Sequence, residues 1–228
     1  RGYANDAERP AFDVMLQAET GYLSMTGTDA EHLAKLPVAM IDILAAHQLK
    51  EGILLARLHR ASTGKGAYVE VALEDAALTG LINQATNWLM AGQVSKPLGT
   101  LHPNIAPYGE VFSCADGKRI VLAVGSNAQF KKLCDTVGMP DLKEDPDFAE
   151  NADRVKDRER LAAHLAPTIA AMTQEELLRR LSQAGVPAGA VNTVDTALAS
   201  PAAMRMTVEE MIEDVRTLRI SGNAFRST

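Results

Sequence analysis

The stretch LPVAMIDILAAH, residues 36–47, sets one carboxylate, Asp42, in a run that is otherwise apolar. A carboxylate held among apolar and small side chains is poorly solvated, so it stands out as a group available for chemistry. The run continues as QLKEGILLARLHR with no glycine or proline before Gly52, which predicts a long helix over 37–61 with Pro37 in its first turn. At 100° per residue, Asp42 shares a face with Ala45, Ala46, Leu49, Ile53 and Ala56, while His47, Lys50 and Glu51 fall towards the other side. Burying a lone carboxylate is costly unless it is paired, hydrogen-bonded or protonated. A structural reading therefore stands beside the chemical one: an aspartate satisfied across the core or across a subunit interface. The two alanines leave room for another molecule to approach.

The other chemical candidates are weaker. Thr63-Gly64-Lys65-Gly66 lacks the glycine spacing of a phosphate loop and lies after a helix, so a glycine C-cap accounts for it. Glu74-Asp75 are the acids expected in a first helical turn. The run KDRERLAAH reads as a solvated helix face. His102, in the proline- and glycine-rich segment 93–109, is a lone loop histidine. The five histidines (His32, His47, His59, His102, His164) never approach metal-ligand spacing, so no metal is expected. There is no Gly-x-Ser-x-Gly, Cys–His pair or dinucleotide fingerprint.

The elements that must position Asp42 follow from the same punctuation. Residues 12–27 predict a short helix closed by Gly21 and a turn ending at Gly27. AYVEVAL (67–73) predicts a strand, and 74–92 a helix stopped by Gly92, so helix, strand and helix suggest a crossover unit of an α/β layer fold. The irregular 93–109 segment marks a boundary. Beyond it, 108–125 predicts a hairpin around Asp116-Gly117, and NAQFKKLCDTVG a short helix. Residues 145–172 are expected to be helical with Asn151 or Asp153 as cap. Thr173 with Glu176 forms a capping box for a helix ending at Gly185. A strand with a short helix and a last hairpin complete the chain. The divisions expected are 1–95, 96–195 and 196–228.

At 228 residues, 46% hydrophobic and 23% charged, the composition is that of an ordinary globular protein. A net charge of −6 without a basic tract argues against nucleic acid or an anionic membrane as partner. No apolar run reaches transmembrane length, and two cysteines in unrelated contexts, Cys114 and Cys134, fit free thiols in a cytoplasmic location. The chain opens without Met and closes on LRISGNAFRST, as an excised piece, a proteolytic product or a split-gene product would.

Four segments in this order, ERPAFDVMLQAETGYLSMTG, VAMIDILAA, STGKGAYVEVALEDA and LGTLHPNIAPYGEVFSCADGKRIVLAVGSNAQF, resemble the class III CoA-transferases, the CaiB/BaiF family. The resemblance implies an α/β fold: part of a Rossmann-like large domain plus a smaller α/β domain, in an interlocked homodimer. It implies that an N-terminal Rossmann-like half precedes these residues in the family. The family's nucleophile falls on Asp42. Its CoA-lining tetrapeptide falls on Pro10, Ala11, Phe12 and Asp13, and its glycine loop over the acyl group on Gly99, Thr100, Leu101 and His102. That loop has a single glycine here.

The activity implied moves CoA between an acyl-CoA and a small carboxylic acid, through a mixed anhydride and an aspartyl-CoA thioester on Asp42. Coenzyme A is then substrate and product, with no cofactor. Two alternatives stand beside it. An acyl-CoA racemase of the same family carries a histidine immediately before the tetrapeptide's aspartate, where this chain has Phe12, a side chain that cannot carry a proton. A non-catalytic remnant would serve folding or dimer contact.

Overall fold

The computed structural model describes residues 1–6 and 8–225. They divide into two compact units, Arg1–Pro103 and Asn104–Thr228. In the first unit α1 (Asp13–Glu19) and α2 (Tyr22–Met25) are separated by Gly21, whose φ of 92° turns the chain. A second turn, at Gly27, pairs with Leu33 in an isolated bridge. Next come α3 (Met40–Thr63), α4 (Leu73–Gly80) and α5 (Asn83–Ala91). A small core joins them: Tyr3, Leu16, Tyr22, Ile41 and Ala77.

The long helix forms as expected, but it starts at Met40, so Pro37 precedes it rather than sitting in its first turn. The free N–H groups of Ile41 and Asp42 at its start find their acceptor outside the helix, on the Asp13 carboxylate. Gly64, at φ 75°, ends α3 by donating its N–H to the Arg60 carbonyl at 2.8 Å.

Two expectations for this unit are corrected. Residues 67–72 form no strand and pair in no sheet, because no described strand lies beside them to complete a ladder. Their partners are the chain start, where Val71 O accepts from the Arg1 amino group at 3.1 Å, and α3, where a Cβ on Gly52 would meet Val69 Cγ1 at 2.6 Å. The helix expected over 74–92 is two helices. It breaks just after Gly80, which packs too closely on Tyr22 and Leu44 to carry a side chain, and Ile82 takes a left-handed φ of 45°. The expected crossover unit is therefore absent from the described residues of this unit.

The second unit is a three-stranded antiparallel sheet, β1 (Tyr108–Ser113), β2 (Arg119–Ala123) and β3 (Ala188–Ala190), in the order β1-β2-β3. The hairpin turns at Asp116-Gly117 as the sequence predicts, with Gly117 at φ 74°. Helices α6 (Asn127–Val137), α7 (Pro140–Glu144), α8 (Asn151–Lys156), α9 (Arg158–Ala170) and α10 (Gln174–Gln183) close over it. Ile120, Leu122, Phe130, Leu133, Leu161, Leu165, Ile169 and Leu177 are fully buried between them. Thr173 caps α10 by accepting the Glu176 N–H, while the Glu176 carboxylate turns to Arg179 and Arg180, so half of the capping box forms.

The expected cap of α8 is also corrected. Neither Asn151 nor Asp153 takes that place; Glu150 precedes the helix without a side-chain cap. Asn151 is diverted to the loop before β1, accepting from Ala106 N at 3.2 Å and donating to Asn104 O at 2.8 Å. Arg154, buried in full, reinforces the same junction. Its guanidinium donates to the carbonyls of Ala106, Phe148 and Ala149 and to Asn127 Oδ1, and stacks 4.5 Å from the Phe130 ring centroid. Helices α11 (Val194–Leu198) and α12 (Pro201–Met206) lead to the hairpin β4 (Thr207–Ile212) and β5 (Val215–Ile220). Glu213 and Asp214, both at positive φ, make its two-residue turn.

Candidate active site

Asp42 occupies the third residue of α3, one turn inside the helix that the sequence predicts. Its side chain is exposed rather than buried on an apolar face. The cause lies in what α3 touches: of the whole helix only Ile41 is buried, and Leu49, Ile53, Leu54, Leu55 and Leu58 are exposed. The apolar stripe read from the sequence exists, but these residues supply no cover for it.

The head of α3 is held by α1. Ala39, at the N-cap, has no side chain able to satisfy the free N–H groups of the first turn. Asp13 Oδ2 accepts the Ile41 N–H at 2.7 Å and the Asp42 N–H at 3.4 Å. One turn along α1, buried Gln17 donates its amide N–H to Asp13 Oδ1, and its own Oε1 accepts the Leu36 N–H at 2.8 Å. A pair at i and i+4 on α1 thus grips residues 36–42 at both ends. Gln17 escaped the sequence reading. The available signal was a polar residue beside Leu16 on the apolar side of a short helix.

The four residues expected to line a CoA site divide accordingly. Asp13 faces the start of α3. Phe12 is the N-cap of α1, its carbonyl accepting from Met15 N and Leu16 N, and its ring is 67% exposed. Pro10 is exposed, and Ala11 packs against the small core where Gly2 leaves no room for a side chain. The structure therefore brings Asp13 to Asp42 and leaves Phe12 and Pro10 at the surface.

The loop Gly99–His102 docks on the turn at Gly27. Gly99, at φ 62°, donates its N–H to Gly27 O at 2.7 Å, and Leu101 donates to Leu98 O at 3.1 Å. Two of the loop's backbone donors are thereby engaged, which removes them from the role of oxyanion donors in this arrangement. Thr100 is exposed and His102 half-buried. Among the other histidines, His32 pairs with Asp29 at 2.8 Å and His47 stands exposed on α3 beside Lys50.

Two buried thiols and a buried carboxyl lie in the second unit. Both cysteines are buried and free, and burial pushes the Cys134 thiol up to about 11, which keeps it protonated and inert. Glu110 is 6% exposed, with neither carboxylate oxygen hydrogen-bonded among the described residues. Burial pushes its carboxyl up, against the pull of nearby backbone N–H groups and of Arg158. It points inward because Gly109 and Glu110 form a bulge between the Tyr108–Ala123 and Val111–Val121 pairs. Among the described residues no cluster of His, Cys, Asp or Glu could hold a metal ion, and no helix is long and apolar enough to cross a membrane.

Comparison with known proteins shows the family. The model of CoA-transferase family III matches residues 1–227. The succinate–glutarate CoA-transferase of Agrobacterium fabrum is 32% identical over 86% of this chain and 48% of its own length. The acetyl-CoA:oxalate CoA-transferase of Acetobacter aceti is 33% identical over 80% of this chain and 47% of its own. Among solved structures, a CaiB/BaiF family protein from Brucella suis superposes with a TM-score of 0.79 at 36% identity, covering 97% of this chain and 57% of that one. A Mycobacterium tuberculosis protein superposes with a TM-score of 0.82 at 27% identity, covering 96% and 58%. The chain spans about half the length of the curated relatives it matches.

Proposed function

The chain belongs to CoA-transferase family III, and from that premise we propose that it carries the nucleophile of an enzyme that moves CoA from an acyl-CoA to a small carboxylic acid, with Asp42 as that nucleophile. The observation that carries this reading is the placement of Asp42: a carboxylate in the first turn of a long helix, open to an approaching substrate, with its backbone fixed by Asp13.

The chemistry closes without a metal or a redox partner. An Asp42 oxygen attacks the thioester carbonyl, the C–S bond breaks, and CoA leaves as thiolate. The thiolate attacks the Asp42 carbonyl of the mixed anhydride, breaking its C–O bond and releasing the donor carboxylate. An acceptor carboxylate then attacks the aspartyl-CoA thioester and displaces the thiolate again. Attack of that thiolate on the acceptor's acyl carbon restores Asp42 and forms the new acyl-CoA. Each step exchanges one activated acyl bond for another of similar free energy, so nucleophile placement and exclusion of water set the rate. Pro10 and Phe12, at the surface beside the α1 start, are proposed to face CoA. The Gly99–His102 loop is proposed to close over the acyl group, in a homodimer of the family's kind.

Phe12 favours the transferase over a racemase, since the ring offers no acid–base group at that position. The test uses a complete family enzyme containing these 228 residues, with succinyl-CoA and the dicarboxylic acids named for the relatives as first substrates. CoA should pass between acids, while the α-proton of a 2-methylacyl-CoA should not exchange with deuterium oxide. Deuterium entering at a rate comparable to transfer would put the racemase first.

A further inference from the structure

We propose that Asp13 is a positioning residue for Asp42: its carboxylate, locked by Gln17, acts as the N-cap that α3 lacks and so fixes where the nucleophile stands. The proposal rests on the reading of Asp42 as nucleophile and gives Asp13 a role distinct from lining a CoA site.

The geometry carries it in three steps. First, α3 begins without a local cap: Ala39 cannot accept a hydrogen bond through its side chain, and Met40 N turns back to Val38 O at 2.8 Å. The N–H groups of Ile41 and Asp42 both converge on one oxygen of Asp13, 28 and 29 residues earlier in the chain. A charged acceptor on backbone N–H groups at a helix start is among the stronger hydrogen-bond arrangements. Second, the other Asp13 oxygen is taken by the Gln17 amide, whose carbonyl oxygen holds Leu36 N. Gln17 is buried, so the Asp13 rotamer is fixed from behind and the path into α3 is pinned at 36 as well as at 41–42. Third, Asp13 reaches Asp42 through the nucleophile's own backbone N–H. A shift of the cap therefore moves the Asp42 Cα directly, and Ile41, the only buried residue of α3, is the pivot.

Asp13 touches no reacting atom in this arrangement. Its effect must then fall on the chemical step, because misplacing a nucleophile by about 1 Å costs on the order of 100-fold in rate. A residue that lined the CoA site would act differently, raising KM with kcat little changed.

The experiment has two arms. In the 228-residue chain, amide hydrogen exchange should speed up at Ile41 and Asp42 in Asp13→Ala, with the amides of β1 and β2 unchanged. In the complete enzyme, Asp13→Ala should lower kcat on the order of 100-fold with KM for acyl-CoA within about threefold. Asp13→Asn should recover part of that loss, since its carbonyl oxygen still accepts the Ile41 N–H while its NH2 loses the Gln17 contact. Gln17→Leu should fall in the same direction as Asp13→Ala, and it keeps the test available if Asp13→Ala does not fold. A raised KM with unchanged kcat, or unaltered exchange at Ile41 and Asp42, would overturn the proposal. Asp42→Ala in parallel separates the two readings. If it remains active, the nucleophile assignment fails; if it is dead while Asp13→Ala keeps wild-type kcat, only the positioning role fails.

Discussion

Two carboxylates in this chain are held in opposite ways, and each has its own consequence. Asp13 is matched with N–H donors on both oxygens, whereas Glu110 is buried with none among the described residues. The sign of the Glu110 effect follows from its raised value. The folded state keeps the proton longer than the unfolded chain, so folding is favoured most when both forms are protonated. As pH rises through the ordinary carboxylate range the unfolded chain ionises first, and stability falls until the folded form ionises too. Glu110→Gln should therefore raise stability at neutral pH, with the gain vanishing below about pH 4. Urea midpoints at the two pH values check this, and a Gln variant less stable at neutral pH would show that attraction to Arg158 wins. Asp42 was legible as an outlier because it interrupts a local apolar pattern. Its cap was not, because a contact between residues 13 and 41 is set by the packing of α1 on α3 and leaves no periodic trace.

At the scale of elements, the turn at Gly27 joins the candidate site's pieces. It carries the chain towards Leu36, and its carbonyl holds the Gly99 loop. Gly27 sits at φ 122°, where a Cβ would collide with the His32 carbonyl and lie 2.9 Å from Leu33 Cα. Gly27→Ala should cost about 2 kcal/mol or more, and should open the 93–103 segment to protease. Gly99→Ala is the control, since its Cβ would find only Thr28 Cγ2 at 4.0 Å and the strain is that of φ alone. Equal protease resistance in wild type and Gly27→Ala would break the link between turn and loop. Elements defined by near neighbours were readable in advance: the Asp116-Gly117 hairpin, α6 with its glycine stop, and the Thr173 cap. Those that depend on distant partners were not. Residues 67–72 have strand composition but no ladder to join, and the 74–92 helix breaks where Tyr22 and Leu44 press on Gly80.

At the scale of the whole molecule the two units differ in how much apolar surface they bury. The second closes a continuous core between its sheet and α6–α10, while the first leaves Leu54, Leu55, Leu58, Trp88, Leu89 and Met90 exposed. Exposed apolar surface of this extent drives association. The 228-residue chain should therefore sediment with a concentration-dependent mass; a dilution-independent monomer would contradict this. The account as a whole turns on one side chain. The most direct measurement is trapping: a complete family enzyme containing these residues is incubated with acyl-CoA, quenched with hydroxylamine and mapped by mass spectrometry. The account predicts a hydroxamate on Asp42 and nowhere else, and none in Asp42→Ala, which should also lose transfer. A hydroxamate on another residue, or wild-type turnover in Asp42→Ala, would contradict it.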